Sequence, residues 1–460
     1  MKALLVTGDR SGSGKTSITL ALTALLSQKN VVQTFKVGMD YIDPSYLTAV
    51  SGRPCRNLDS FALDPDQIRD IFAFGCRGAD IALVEGVRGL YEGAEALDDT
   101  GSTAAIAKAL DLPVVLVVSA QSITRSAAAL VKGFQAFDPA IHIDGIILNN
   151  VKGGTHKAKA VTAIEHYCGI PVIGAIPRME EMQLAMRHLG LVPYREGSGH
   201  GDFDARIQAI TEIIGRYIDL DRLVGLMKEM PQPLSQPTYF NKAPNQDVRI
   251  GIALDEAFNF YYADLFDIIP ASGAELVPFS PVHDRLPDAD GYIIGGGYPE
   301  LFVAELEAND AMRESVREVS RNGVPIYAEC GGLMYLTERM TLKKGWQESS
   351  ADHSYSMCGV FAGETQMPTR RVVSYVEGTS SKQCPMGAAT FRGHEFHYSA
   401  VLLDKDTRFA YCLSRGFGIK DQFDGAVSNN TLGSYTHLHP VASSGMFRHF
   451  VETCRNHSLE

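Results

Sequence analysis

Short apolar blocks alternate with amphipathic segments along the first half of the chain. After the block at residues 3–7, apolar side chains recur at helical spacing at Ile18, Leu22 and Leu25. Four further apolar blocks are each short enough for one buried strand, namely residues 81–85, 113–118, 145–149 and 171–175. Strands that alternate with helices in this way are typical of βαβ units with parallel strands. The pattern predicts an α/β domain built on a parallel sheet.

A proline-rich stretch then interrupts the alternation. Residues 230–246 contain four prolines, which remove backbone donors and disfavour helix. We predict a linker there, between a first domain at residues 1–229 and a second at residues 247–460. The second domain repeats the α/β pattern, with strands expected at 248–254, 292–294 and 325–328 and helices near 263–270 and 308–322. Residues 359–434 are rich in Thr, Ser, Gly and aromatics, which favours β structure.

Composition narrows the classes of protein that fit. The 460 residues suffice for two or three domains, and 45% hydrophobic with 21% charged residues is typical of folded proteins. A net charge of −12 argues against nucleic acid as a partner. The longest apolar runs, such as residues 112–118, are far shorter than a membrane span, and residues 1–6 are too short for a secretory signal. We expect a cytoplasmic protein that binds neither nucleic acid nor membranes.

A glycine-rich loop, GDRSGSGKT, lies between the first predicted strand and its helix. Glycines let backbone N–H groups turn toward phosphate oxygens, and the start of a helix attracts negative charge. Lys15 would reach the β- and γ-phosphates, and Thr16 would ligate magnesium. The first glycine stands at Gly8, one residue before its place in the strict motif, so the loop is a variant. We predict a nucleotide site formed by Gly12, Gly14, Lys15, Thr16 and Ser17.

Acidic residues at strand ends are candidates for the metal and substrate chemistry that phosphoryl transfer needs. Asp40 and Asp43 follow a short strand, and Glu85 ends the apolar strand at residues 81–85. The carboxyl ends of parallel strands border the crevice where such sheets bind ligands. For Asp43, which precedes a proline, a cap or turn role stays open.

Nearby cations and one helix start are candidates to hold an anionic substrate. Arg10, Lys36 and Arg88 could bind phosphates or carboxylates, or could be solvated surface charges. Ser102 precedes the helical run at residues 104–110 and is a natural N-cap. Its helix could present free N–H groups to a substrate carboxylate, or Ser102 could be a plain cap.

In the second domain, the segment PIYAECGGL places a cysteine between a strand and a helix, as a nucleophile elbow does. The helix start favours the thiolate of Cys330, and the N–H of Gly331 would point at an oxyanion. We expect a second oxyanion donor at Gly297, in the GGGYPE segment. The segment SYTHLHP offers His437 and His439 as the base. The chain has eight cysteines without CxxC or zinc-type spacing, and we expect the other seven to be plain thiols.

Nine segments in this order resemble one family: GSGKT, FKVGMDYIDP, NLDSF, EGVRGLYEG, GSTA, GGGYPE, AECGGLMYL, GHEFHYS and SYTHLHP. The chain is similar to the cobyrinate a,c-diamide synthases and the related nickel-sirohydrochlorin a,c-diamide synthases. The resemblance implies a synthetase domain similar to dethiobiotin synthetase, followed by a class I glutaminase domain. It implies ATP and Mg²⁺ as cofactors and glutamine and an anionic tetrapyrrole as substrates, and it leaves a homodimer open.

The resemblance also implies roles for individual residues. Cys330 would take the amide of glutamine through a glutamyl thioester, activated by His437. Asp40, Asp43 and Glu85 would be catalytic acids around magnesium, ATP and the reacting carboxylate. Ligands of Mg²⁺ would be Thr16, Asp40 and Glu85. Substrate or oxyanion contacts would be Lys36, Arg88, Ser102, Gly297 and Gly331.

One departure concerns the catalytic triad of glutaminases. Many relatives carry His-x-Glu, whereas this chain has His437-Leu438-His439, so we expect the third member to be missing or replaced. His437 matches the family histidine better than His439 does.

Two other readings compete with an a,c-diamide synthase. A cobyric acid synthase would share the glutaminase half, but its loop typically lacks the lysine that Lys15 provides. A P-loop switch ATPase that acts through partner binding would carry a signature lysine at the place of Arg10 and no glutaminase half.

The macrocycle is harder to infer than the reaction. Met39 and Arg88 stand where many corrin enzymes have proline and methionine, which favours nickel-sirohydrochlorin in coenzyme F430 biosynthesis, or a dual role, over cobyrinate in cobalamin biosynthesis alone. Because the net charge opposes a polycarboxylate, we expect a locally cationic site at Lys15, Lys36 and Arg88, together with magnesium.

Overall fold

A computed structural model describes residues 1–179, 200–231 and 237–459 of the chain. The chain divides into two units, Met1–Pro237 and Thr238–Glu460. Residues 232–236, inside the predicted linker, lie outside the described residues. Within the described ranges, no helix combines the length and the apolar character needed to cross a membrane.

A parallel sheet with helices between its strands forms the first unit. Its elements in chain order are β1 (Lys2–Gly8), α1 (Lys15–Ser27), β2 (Val32–Val37), α2 (Ile42–Ser51), β3 (Arg56–Leu58), α3 (Pro65–Gly75), β4 (Ile81–Gly89), α4 (Thr103–Leu110), β5 (Val114–Ser119), α5 (Arg125–Phe137), β6 (Ile143–Val151), α6 (Gly153–Cys168), β7 (Val172–Pro177), α7 (His200–Tyr217), α8 (Leu220–Leu226) and β8 (Lys228–Glu229). The strand order is β3-β2-β4-β1-β5-β6-β7, all parallel, with β8 antiparallel to β1. The predicted α/β fold is confirmed.

Local sequence explains why these elements form. Strand β5 reads VVLVVS and is buried in all but its last residue, as expected for a central strand covered by helices on both faces. Helix α3 begins with a capping box, in which Asp64 and Gln67 each bond the other's backbone N–H, and Pro65 occupies its first turn. The strands predicted from apolar blocks are all present, because those blocks supply the buried centre of the sheet.

The second unit begins as a parallel sheet and continues as an antiparallel one. Its elements are β9 (Val248–Ala253), α9 (Leu265–Ala271), β10 (Ala274–Phe279), β11 (Gly291–Ile294), α10 (Val303–Ala308), α11 (Asp310–Arg321), β12 (Ile326–Glu329), α12 (Gly331–Leu336), β13 (Thr337–Leu342), β14 (His353–Ser356), β15 (Phe361–Met367), β16 (Val372–Ser380), β17 (Thr390–His397), β18 (Ala400–Leu403), β19 (Arg408–Arg415), β20 (Phe423–Ser428), β21 (Thr431–Ser434), β22 (His437–Leu438) and α13 (Ser444–Leu459). Short 3₁₀ helices span Thr238–Phe240, Pro299–Leu301 and Trp346–Glu348.

The main sheet of this unit has the order β10-β9-β11-β12-β21-β20-β19-β16-β17-β22. Its first five strands pair in parallel and the rest in antiparallel fashion. A separate four-stranded sheet has the order β14-β13-β15-β18. The β-rich character expected for residues 359–434 is confirmed, since seven strands from β15 to β21 lie there.

The helix predicted near residues 308–322 is present as α11, which spans Asp310–Arg321. A separate short helix, α10, ends just before it at Ala308. The Asn309 side chain accepts a hydrogen bond from the backbone of Met312, 3.3 Å away, and so caps the second helix. Capping at Asn309 therefore fixes the start of α11 and separates it from α10.

Candidate active site

The glycine-rich loop connects β1 to α1 and wraps closely on itself. Gly12 and Gly14 have φ values of 77° and 95°, in the left-handed region that glycine adopts without strain. A side chain at Gly8 would meet Ser13, because an added Cβ would lie 2.1 Å from the Ser13 hydroxyl oxygen. From β6, the Asn149 side chain donates to the Ser13 carbonyl over 2.9 Å and holds the loop in place. The geometry suits a backbone cradle for phosphate at the start of α1.

Lys15 is the first residue of α1 and forms no ion pair with another described residue. Burial, followed by the nearby charge of Lys36, lowers the pKa of Lys15. An incoming phosphate would supply the missing counter-charge. Ser17, two residues further along, has a buried side chain, so a nucleotide would meet its backbone rather than its hydroxyl.

Lys36 lies at the centre of three carboxylates rather than at a surface. Its side chain is 2% exposed, and its Nζ lies 2.5 Å from Asp43, 2.8 Å from Glu85 and 3.9 Å from Asp40. Burial alone would lower the pKa of Lys36, but the charges of Asp43 and Glu85 outweigh burial and raise it. Lys36 is therefore a permanently charged counter-ion for these acids.

The surroundings of the three acids shift their pKa values in different directions. Burial and then the neighbouring charge of Asp43 raise the pKa of Asp40. Burial also raises the pKa of Glu85, whose carboxylate is fully buried. Although burial opposes it, the charge of Lys36 holds the pKa of Asp43 below its ordinary value. Asp43 is thus the acid most firmly kept ionised.

Thr16 brings a hydroxyl to the same acids. Its Oγ1 donates to Glu85 Oε1 over 2.7 Å and lies 3.4 Å from Asp43 Oδ2. Asp40 instead accepts from the backbone N–H of Ile42, 2.8 Å away. The oxygen set that surrounds Thr16 therefore comes from Glu85 and Asp43, whereas the sequence favoured Glu85 and Asp40.

These oxygens suit magnesium, which prefers hard oxygen ligands. The second oxygen of Glu85 is buried and has no hydrogen-bond partner among the described residues, as expected for an acceptor that awaits a cation. Across the described ranges, no group of three or more His, Cys, Asp or Glu side chains is arranged to hold a metal by itself.

The remaining candidates of the first unit lie apart from this cluster. Arg10 binds the adjacent Asp9 with two nitrogens, at 2.7 and 2.9 Å. Arg88 is exposed at the end of β4, with φ of 50° and a contact of 3.5 Å to the Gly93 carbonyl. Ser102 is fully buried and caps α4 by accepting from the N–H of Ala105.

The local charge differs from the cationic site expected from sequence. Three carboxylates outnumber the two ammonium groups of Lys15 and Lys36, and Lys36 is fully paired with the acids. Arg88 is exposed, so its positive charge is accessible to a substrate. Positive potential for an anionic substrate would therefore depend on Lys15, Arg88 and a bound cation rather than on Lys36.

In the second unit, Cys330 stands at a strained turn between β12 and α12. Its φ of 47° lies in the left-handed region, which costs a residue with a side chain roughly 1–2 kcal/mol. Its backbone N–H donates to the Ser434 carbonyl of β21 over 2.7 Å, which anchors the turn. The thiol lies 3.7 Å from the Phe396 carbonyl. This is the strained strand-to-helix turn of a nucleophile elbow, here with a buried thiol.

His437 is the histidine that reaches this thiol. It lies in β22, is 1% exposed, and shares a side-chain hydrogen bond with Cys330. Burial would lower the pKa of His437, but hydrogen bonds and charges from Cys330 and Glu329 raise it to about 10. His439 is fully buried elsewhere, stacked against Tyr262 with ring centres 4.9 Å apart. The geometry selects His437.

Glu329 is the acid that replaces the expected third triad member. Its Oε2 lies 3.1 Å from His437 Nδ1, and its Oε1 accepts from the N–H of Leu438 over 3.0 Å and from the Tyr327 hydroxyl. The carboxylate comes from the end of β12, directly before the nucleophile, rather than from a position after the histidine. An acid at the end of an otherwise apolar strand is the sequence signal that could have indicated it.

The glycine segment after β11 lies against the His437 ring and against Gly331, the residue after Cys330. A Cβ added at Gly296 would lie 2.7 Å from the His437 ring, and one added at Gly331 would lie 3.2 Å from the Gly297 nitrogen. Gly297 itself has φ of 153° and packs on the Ala257 carbonyl, where an added Cβ would lie only 2.1 Å away. The backbone nitrogens predicted as oxyanion donors, at Gly297 and Gly331, are thus brought together beside Cys330.

Replacing Glu329 with glutamine should shift the pH dependence of glutamine hydrolysis. The imidazolium of His437 is present below its pKa, and loss of the Glu329 charge lowers that pKa toward the ordinary value. We expect the basic limb of kcat/KM to move to lower pH and the rate at about pH 8 to fall roughly tenfold or more. Ammonia release measured across the pH range checks this.

A matched control is Glu377→Gln, which removes a surface carboxylate 3.1 Å from Arg392. Its pH profile should equal that of the unmodified protein. An unchanged basic limb in Glu329→Gln would remove Glu329 from the catalytic arrangement.

Comparison with known proteins identifies both units. Residues 249–444 match the CobB/CobQ-like glutamine amidotransferase domain, and residues 4–192 match the CobQ/CobB/MinD/ParA nucleotide binding domain. A cobyrinate a,c-diamide synthase of Methanosarcina barkeri is 51% identical over 98% of this chain and 96% of its own length. Proteins of the same name from Methanosarcina acetivorans and Methanothermobacter thermautotrophicus are 52% and 44% identical, over 98% and 95% of this chain and 94% and 96% of their own lengths.

Similarity of this extent covers both the nucleotide-binding unit and the unit that carries Cys330. The enzyme class that it indicates is a ligase that uses glutamine as a nitrogen donor. The chain therefore belongs to the cobyrinate a,c-diamide synthase family of glutamine amidotransferases.

Proposed function

We propose that the chain is an ATP-dependent, glutamine-hydrolysing enzyme that amidates the a and c acetate carboxylates of cobyrinate. The observation that carries the proposal is the pairing, in one chain, of the Cys330–His437–Glu329 arrangement with the phosphate loop and its buried acids. The names of the full-length relatives supply the substrate. We place ATP, rather than another nucleotide, at the loop because formation of an amide from a carboxylate needs an activated acyl group.

In the second unit, glutamine would be hydrolysed through a thioester. The Cys330 thiolate attacks the side-chain amide carbon, and the N–H groups of Gly297 and Gly331 stabilise the oxyanion. His437 gives a proton to the departing ammonia, while Glu329 keeps the imidazolium in place. Water then adds to the glutamyl thioester, with His437 as base, and glutamate leaves as the thiolate is restored.

In the first unit, a substrate carboxylate would be activated by phosphorylation. Its oxygen attacks the γ-phosphorus of ATP, ADP leaves, and an acyl phosphate forms. Ammonia then attacks the acyl carbon, inorganic phosphate leaves, and an amide remains. Lys15 would hold the transferring phosphate, and Arg88 would meet a peripheral carboxylate. Magnesium held by Thr16, Glu85 and Asp43 would neutralise phosphate charge.

Replacing Asp43 with asparagine tests the synthetase half. The substitution removes a carboxylate beside Lys36 and Thr16 while keeping its size, so the paired positive charge of Lys36 loses a partner. We expect amidation to fall about 10²-fold or more with either glutamine or ammonia as nitrogen source, and hydrolysis of glutamine alone to persist. Mass shifts of the macrocycle and ammonia release measure the two activities.

The control is Asp66→Asn, which removes an exposed carboxylate 2.5 Å from Arg69. Both activities should be unaffected there, because exposed pairs contribute little. A normal amidation rate in Asp43→Asn would exclude Asp43 from the mechanism.

Nickel-sirohydrochlorin is a second candidate substrate. It presents a and c acetates on a related macrocycle, and Met39 and Arg88 differ from the residues expected in many corrin enzymes. Because Arg88 is exposed, its side chain is free to meet a substrate, and that difference is relevant to substrate choice. Incubation with each macrocycle, ATP, Mg²⁺ and glutamine separates the two, since no turnover of nickel-sirohydrochlorin would exclude it.

A further inference from the structure

A buried acid that the proposed chemistry does not use lies next to the nucleophile. Glu300 belongs to the 3₁₀ helix Pro299–Leu301, directly after the glycine segment that adjoins Cys330 and His437. Its side chain is only 9% exposed. Among the described residues, no cation is paired with its carboxylate, and the one interaction that favours its charged form comes from its own backbone N–H.

The position of Glu300 follows from its neighbours. The Pro299 ring touches the first turn of α12, since a Cβ added at Gly331 would lie 3.0 Å from Pro299 Cδ. Glu300 follows Pro299 in the same 3₁₀ helix and lies three residues after Gly297. Its backbone is therefore held beside the segment that carries the oxyanion donors.

A charged side chain in such a place is costly unless it is paired. Buried carboxylates are usually matched by a cation or by several hydrogen bonds. The buried carboxylate of Glu329 has three hydrogen-bonding partners. That of Asp424 accepts three hydrogen bonds from Tyr435 and Thr436. Burial raises the pKa of Glu300 to about 7, because it has no comparable support. A cationic group on the bound substrate would supply the counter-charge that the Glu300 carboxylate lacks.

Glutamine carries one cationic group, and its distance from the reacting carbon is suitable. Four covalent bonds separate the amide carbon from the α-ammonium nitrogen, which places the two about 5 Å apart in an extended side chain. When the amide carbon lies at Cys330, we expect the ammonium group to reach the carboxylate of Glu300, three residues beyond Gly297.

We propose that Glu300 determines specificity for glutamine by binding its α-ammonium group. The inference rests on the proposed glutaminase activity of Cys330 and adds a residue that selects the amino acid from other primary amides. A charge-assisted hydrogen bond formed in a water-poor site gives more discrimination than the same contact at a surface.

The test compares glutamine with 5-amino-5-oxopentanoate, which is glutamine without its α-amino group. We expect Glu300→Gln to lower kcat/KM for glutamine about 10- to 100-fold, as loss of a hydrogen bond between charged groups does, mainly through KM. The kcat/KM for the desamino analogue should change less than about twofold, so the preference of the unmodified enzyme for glutamine should largely disappear.

The controls separate recognition from structure. Glu305→Gln changes an exposed acid five residues further along and should leave both substrates unaffected. Alkylation of Cys330 by iodoacetamide should proceed at the same rate in Glu300→Gln as in the unmodified enzyme, which shows that the nucleophile is intact. Equal losses for both substrates, or no loss for either, would overturn the role of Glu300. Absence of glutamine hydrolysis in the unmodified enzyme would overturn the proposed glutaminase activity and this inference with it.

Discussion

Replacing Cys330 with alanine should abolish amidation driven by glutamine while leaving amidation driven by ammonia within about twofold of normal. Without the thiol no thioester can form, and loss of a catalytic nucleophile costs roughly 10³-fold or more. Alanine, like cysteine, has a Cβ, so the turn at φ of 47° is neither relieved nor worsened. Mass shifts of the macrocycle, followed with each nitrogen source, measure both activities.

The matched control for this prediction is Cys358→Ala. Cys358 is a buried thiol of the same unit, and burial raises its pKa to about 12, so it has no thiolate to contribute. Activity with glutamine should survive that change. Loss of amidation with both nitrogen sources in Cys330→Ala would contradict a division of the chemistry between two sites.

Replacing Lys36 with methionine should both inactivate the synthetase half and destabilise the protein. The change leaves Asp43 and Glu85 buried without their shared cation, and breaking a buried ion pair from one side costs about 3–5 kcal/mol. We expect a lower midpoint of urea denaturation and no amidation with either nitrogen source. Circular dichroism during denaturation, with the amidation assay, measures both effects.

The matched control is Lys108→Met. Lys108 also lies between two carboxylates, Asp99 and Asp138, but its side chain is 34% exposed. Solvent screening limits the value of such a pair to about 1 kcal/mol or less, so the midpoint should move little. A double variant that also carries Glu85→Gln should recover part of the stability lost in Lys36→Met. If Lys36→Met were as stable as Lys108→Met, the buried cluster would not have the energetic role inferred from its contacts.

Features that depend on local chain geometry could be predicted from the sequence. The phosphate loop and the turn at Cys330 each need a strand, small residues and a helix in succession, and that order is visible in the residues themselves. The apolar strands were equally accessible, because burial on both faces leaves an uninterrupted hydrophobic run.

Features that depend on which side chains meet across the sheet could not be predicted in this way. Lys36 was expected to hold an anionic substrate, but strand pairing aligns it with Glu85 on the neighbouring β4. Asp43 approaches Thr16 because it begins the second helix, whereas Asp40 turns to bond Ile42. Spacing along the chain cannot distinguish these two acids.

Glu329 was missed for a related reason. In many glutaminases the third triad member follows the histidine by two residues, where this chain has His439. In this fold β12 and β21 are adjacent and parallel, so the acid can come from the strand of the nucleophile instead.

That adjacency of strands has a consequence for how the active site is assembled during folding. Glu329 and Cys330 are consecutive residues. To complete the catalytic group, the chain must bring only the segment with His437 to them, and His437 lies 108 residues after Glu329. Glu329 on β12 pairs with Ser434 on β21, and this pairing places the segment next to Glu329 in the central sheet. The entropy lost in closing this long loop is offset by the same strand pairing that forms the sheet. We therefore expect Glu329, Cys330 and His437 to come together when the sheet forms.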